Sequence, residues 1–162
     1  MTSHQQQFFQ LATHPLKFRM FLLSKLPAAY FSGVRVEAVD EHACTVSVPY
    51  KWFTTNPFRS TYFACLAMAA EMSSGVLAFA STYKRQPAIS MLVTGIDAVF
   101  HSKATGRTKF TCRAGGEIAK VVDLAVATGE AQTITVEATG TDLAGKPVAT
   151  FHITWSFKKR SS

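Results

Sequence analysis

The sequence predicts an α+β protein: a curved antiparallel sheet wrapped around one long central helix, with an extra N-terminal helical segment. Three observations predict it. The run from Asn56 to Ser81, NPFRSTYFACLAMAAEMSSGVLAFAS, is almost wholly apolar or small once past Thr61. A helix apolar on every face is buried on every face. Two short alternating segments precede the run and four longer ones follow it, which is strand patterning. No linker, internal repeat or low-complexity stretch breaks the order, so residues 1–162 read as one domain.

Residues 4–26 have helical spacing. Phe8, Phe9, Leu11 and Ala12 form a first apolar set, and Leu16, Met20, Leu23 and Leu26 a second. Pro15 starts the second piece or kinks a continuous one. Lys17, Arg19 and Lys25 make that piece basic and amphipathic, suited to packing its apolar stripe on its own domain or to lying on a membrane. Pro27 ends it. Residues 33–39 and 42–50 alternate as short strands around a tight turn at Asp40-Glu41. Residues 51–56 form an aromatic connector. The central helix is expected over 60–82, capped by Ser60 or Thr61 and closed by Pro87. Strands are then expected at 88–101, 109–118, 130–142 and 147–158, with turns at Thr105-Gly106 and Ala144-Gly145. Residues 121–127 fit either a bulged continuation or a loop.

Charged residues are 17% of the chain and hydrophobic ones 48%, a globular balance. The net charge of +7 favours anionic partners. No block of like charge or nucleic-acid module accompanies it, so nucleic acid is not an expected partner. Cys44, Cys65 and Cys112 are odd in number and widely spaced, which argues against a disulfide framework and a structural zinc site. A reducing cytoplasm is the corresponding expectation. The histidines show no metal-ligand spacing, and neither G-x-S-x-G nor a P-loop is present. The serine content and the acid of the central run argue against stable membrane insertion.

Glu71 is the one charged side chain inside the apolar run from Tyr62 to Ser81. At ~100° per residue it shares a face with Ala64, Ala67, Met68, Ser74, Gly75 and Ala78. The bulkier Leu66, Val76, Leu77 and Phe79 fall elsewhere. The acid therefore overlooks a groove of small side chains. Apolar surroundings raise a carboxyl pKa, and such groups serve as general bases or nucleophiles. A buried Glu paired with a basic residue or hydrogen-bonded for structure is the other reading.

The order of elements, with Asn56 ahead of the helix and Glu71 fifteen residues later, resembles the hot-dog fold. Within it, residues 30 to 158 look most like the PaaI-like acyl-CoA thioesterases. The resemblance implies that Asn56 matches the family's loop Asn, and Glu71 the acid on the helix. The family's glycine segment would fall at Tyr62-Phe63 and is absent. The chain is more similar to a glycine-poor branch in which Asn, Thr and Phe mark that segment and Glu replaces Asp. The stretch TGIDAVFHSKATGRTKFTCRA looks like the family's third and fourth strands. Its Lys103 and Arg107 are where the phosphates of coenzyme A would be sought.

The implied reaction is thioester hydrolysis. The backbone N–H of Phe63 polarises the carbonyl, Glu71 acts as general base or nucleophile, and Asn56 orients the water or carboxylate. Tyr62, Met68, Ser74 and Gly75 are expected along the substrate path. No cofactor is implied beyond the coenzyme A of the substrate. The implied assembly is a homodimer or tetramer, pairing through residues 88–101. The alternative is a non-catalytic binder of acyl-CoA or fatty acyl chains, which suits the large residues in place of the glycines.

Overall fold

The structure, a computed structural model, describes residues 3–160. Its helices are α1 (Ser3–Thr13), α2 (Pro15–Lys25), α3 (Pro27–Ser32), α4 (Phe63–Thr82) and α5 (Gly115–Thr128). Its strands are β1 (Arg35–Val39), β2 (Cys44–Val48), β3 (Ile89–Phe100), β4 (Thr108–Cys112), β5 (Gln132–Thr141) and β6 (Pro147–Lys159). All six strands lie antiparallel in one sheet, in the order β1-β2-β4-β5-β6-β3. Helix α4 packs against every strand but β1 and is braced by α1, α3 and α5. The predicted sheet around a central helix is therefore what forms.

Alternation decides which side chains meet the helix. Val46 and Val48 of β2, Phe110 of β4, Val136 and Ala138 of β5, and Ile153, Trp155 and Phe157 of β6 are buried. On α4, Leu66, Ala69, Ala70 and Leu77 are buried. Small residues on the helix let the sheet approach closely while the sheet supplies the bulk. By length and composition α4 could cross a membrane, but 61% of its most apolar window is buried inside this domain.

Three expectations need correction. Pro27 does not merely end the N-terminal helices; it opens α3, where a missing N–H costs nothing. The central helix starts at Phe63, with Tyr62 as a cap that makes no side-chain hydrogen bond. Thr61 instead donates its backbone N–H and its hydroxyl to the Ala104 carbonyl, and Ser60 donates to Asn56. The strand expected over 109–118 stops at Cys112, and 115–128 is helix α5. Its Ile118, Val122 and Ala125 are buried at the four- and three-residue spacing of one helical face. Gly115 is a crossing point: its N–H donates to the His42 carbonyl at 3.0 Å, and a Cβ there would press on the Glu41 backbone.

Candidate functional site

Helix α4 is not covered evenly. Ala64, Ala67, Met68, Glu71 and Gly75 are only partly buried, while their neighbours Ala69, Ala70, Met72, Ser73 and Ser74 are buried. They follow one another on a single face, so the predicted groove exists, except that Ser74 and Ala78 are buried inside the domain. Farther along, α1 and α2 roof it into a cavity of about 370 Å³. From α4 come Glu71, Met72, Gly75, Val76 and Phe79. Met91 of β3 and Trp155 of β6 form the floor, and Phe8, Phe18, Phe21, Lys25 and Leu26 come from the N-terminal segment. Val76 and Phe79, expected on other faces, are part of this wall.

Glu71 is the lone acid of that wall. Among the described residues it has no hydrogen-bond or ion-pair partner, and Lys25 of the same wall does not reach it. Desolvation pushes its pKa above the ordinary 4.5, with no compensating contact. An unpaired carboxyl in apolar surroundings favours its protonated form and, once ionised, is a stronger base. Gly75 gives it room, since a Cβ there would lie 3.0 Å from Glu71 Oε1 and 3.4 Å from Trp155 Cζ2.

Ser74 faces inward. Its hydroxyl donates to the Glu71 backbone carbonyl at 3.0 Å and accepts from Trp155 Nε1 at 2.9 Å. It sets the indole against the cavity and does not line it.

The helix start is a separate place. Eight residues separate Phe63 from Glu71, a rise of about 12 Å at ~1.5 Å per residue. A carbonyl held by one is out of reach of the other, since a reacting atom must lie ~3 Å from both groups. Asn56 belongs to the helix-start loop. Its Oδ1 accepts from Phe58 N at 3.0 Å, and from Ser60 N and Oγ at 3.2 Å each. That leaves its amide nitrogen as the free end. The N–H of Phe63 opens the helix without an earlier helical carbonyl to bond, as first-turn donors do. Tyr62 and Phe63 stack edge-on at 4.9 Å, both largely exposed.

Lys103 is exposed beside Ala104, whose carbonyl anchors the same loop. Arg107 turns the other way, donating to Ser47 Oγ at 3.0 Å with Glu37 at 3.8 Å. Its charge is already matched. The three cysteines are buried, and burial raises each thiol pKa, so none is an activated thiolate.

The structure thus brings Glu71 and Gly75 to the cavity, groups Asn56, Tyr62, Phe63 and Lys103 at the helix start, and puts Met68 on the groove between. The cavity roof was missed in the sequence. Its signal was the inward face of the second N-terminal piece, Phe18 and Phe21, whose target 50 residues away no local pattern reveals.

A family model described as a domain of unknown function (DUF4442) matches residues 17–157. No curated protein matches the sequence. Solved structures match in fold. A Pseudomonas aeruginosa protein described as a probable thioesterase has a TM-score of 0.76 at 18% identity, over 93% of this chain and 99% of its own. A thioesterase of Haemophilus influenzae gives 0.61 at 12%, over 92% and 95%. The Escherichia coli PaaI protein, from the phenylacetic acid degradation operon, gives 0.65 at 12%, over 99% and 98%. At these identities the likeness carries the architecture alone, and that architecture is the hot-dog fold.

Proposed function

The chain belongs to the DUF4442 family, and with that premise we propose that it hydrolyses acyl thioesters, with Glu71 as the reacting carboxylate. One observation carries the reading: an unpartnered carboxyl, its pKa raised by desolvation, faces an apolar cavity. A structural glutamate would hold a hydrogen bond or an ion pair.

Glu71 takes a proton from water, the water oxygen bonds to the carbonyl carbon, and the carbon–sulfur bond breaks. The thiolate of coenzyme A leaves and is protonated, giving a free acid and a thiol. In the nucleophilic variant, Glu71 itself bonds to the carbonyl carbon, and water then cleaves the resulting anhydride. The apolar walls suit the acyl part of the substrate.

The separation of Phe63 from Glu71 bears on assembly. One chain does not place both on one carbonyl, whereas two chains can. Strand β3 is a sheet edge with Leu92, Ile96, Val99 and Phe100 exposed, and Trp52, Phe58 and Phe63 are exposed near the helix start. Such apolar area supports pairing. In a homodimer joined through β3, the Phe63 N–H and Asn56 of one copy serve Glu71 of the other, and Lys103 meets the coenzyme A phosphates. The same separation favours the second reading, a non-catalytic acyl binder, if no partner closes it.

The test is free-thiol release from acetyl-, hexanoyl-, palmitoyl- and phenylacetyl-CoA by wild type and Glu71→Gln. The expected result is turnover that the variant loses while still binding ligand. Equal rates remove Glu71 from the chemistry. Binding without turnover by folded, dimeric wild type selects the binder. Turnover in ¹⁸O water that labels the Glu71 peptide identifies the nucleophile, because water then cleaves the anhydride at the glutamyl carbonyl.

A further inference from the structure

Helix α2 has two apolar faces, and the fold uses one. Phe18 and Leu22 are buried, and Phe21 and Lys25 turn toward the Glu71 cavity. Leu16, Met20 and Leu23 are 69%, 57% and 38% exposed. At ~100° per residue these three lie within about 60° of arc, opposite Phe18. A helix that only packs on its own domain carries polar residues there.

The N-terminal segment that carries this stripe has charge of one sign. Residues 1–36 contain no Asp or Glu and carry Lys17, Arg19, Lys25 and Arg35. Lys17 and Lys25 are exposed, and the Arg19 guanidinium lies 4.3 Å from the centre of the Tyr30 ring. An exposed apolar stripe flanked by cations complements an anionic lipid surface; the acid beside it, Glu37, borders a recess with Leu16 and Arg19 and is already paired with Arg107. A second copy of this chain would bring its own cations against these.

We propose that the outer face of α2 seats the protein on anionic bilayers, with Leu16, Met20 and Leu23 entering the headgroup layer and Lys17 beside them meeting lipid phosphates. The docking is peripheral and needs no spanning segment. Lys25 and Leu26 are exposed and also line the cavity, so its rim lies at one end of the stripe. If the cavity holds acyl groups, as proposed above, a lipid-dissolved acyl thioester meets that rim from the bilayer.

The experiment is vesicle flotation of the full chain with phosphatidylcholine alone and with added phosphatidylglycerol. Wild type is expected to float only with phosphatidylglycerol, and less so as salt is raised. Leu16→Ser/Met20→Ser/Leu23→Ser should lower binding roughly tenfold or more, and Lys17→Glu alone several-fold. Both should retain the wild-type melting curve and the wild-type rate on soluble hexanoyl-CoA. Glu71→Gln should float like wild type, which keeps this result separate from the assignment of the chemistry. Failure of wild type to float with either vesicle overturns the proposal, as does unchanged flotation of the triple variant. A triple variant of lower oligomeric mass in sedimentation also overturns it, because the stripe would then be a contact between copies.

Discussion

Replacing Glu71 with Gln should abolish activity and raise stability together, with the gain set by pH. The carboxyl is desolvated and unpartnered. Its pKa in the folded chain exceeds the ordinary 4.5, whereas the unfolded chain keeps that ordinary value. Below the unfolded value Glu71 is protonated in both states and the burial penalty is absent. As pH rises through that value, the unfolded chain releases its proton and the folded chain holds it, so the folded state loses ground. The loss stops growing above the folded pKa. Wild type is thus best placed at low pH with respect to this residue, and Gln, with no charge to bury, lacks the dependence. An uncompensated buried charge costs more than an uncompensated neutral polar group such as Gln, so Glu71→Gln should gain on the order of 1 kcal/mol at neutral pH and little near pH 4. At about 2–4 °C per kcal/mol for a chain this size, the melting temperature rises by roughly the same few degrees. Urea unfolding of both proteins at several pH values measures it. Equal stability throughout, or a less stable variant at neutral pH, would mean that the carboxylate is satisfied by a partner and would remove the physical basis for its role.

Two further outcomes follow from the glycines. Gly75→Ala sets a methyl group 3.0 Å from Glu71 Oε1; turnover should fall at least roughly tenfold, the scale of a displaced reacting group, while stability changes by less than ~1 kcal/mol because alanine favours the helix. Unaltered kinetics would show that the carboxylate acts from another position. Gly140→Ala drives a methyl group into the Phe110 ring, 2.7 Å from Cζ, and should cost about 1–3 kcal/mol by overpacking, read as a lower urea midpoint.

The sheet was legible because its strands alternate, and the helix was legible because only Glu71 interrupts an otherwise apolar or small run. Helix α5 was not. Lys109 to Cys112 alternates, and Val121 and Val122 are β-branched, so strand preference masked a helical face that only Ile118, Val122 and Ala125 reveal. At the site, Glu71 and Gly75 could be singled out because an acid and a glycine are conspicuous in an apolar run. The roof could not, since Phe8 and Phe18 look like ordinary core residues until α1 and α2 are laid across α4. The loop Asn56 was identified, and the turn signal of Asn56-Pro57 was legible too: its side-chain carbonyl serves the turn through Phe58 and Ser60, a local use of asparagine.

The strand order has a consequence for how the chain is made. β3 follows α4 directly but pairs with β6, Ile89 opposite Lys159 and Phe100 opposite Ala149. During synthesis the most apolar helix therefore emerges before β4, β5 and β6, which complete its enclosure, and β3 waits for a partner still to be translated. At ~5–20 residues per second the interval from Thr82 to Lys159 is on the order of ten seconds. Through it a bare apolar helix and an unpaired strand edge are presented together, the combination that nascent-chain chaperones bind and that aggregates when they do not.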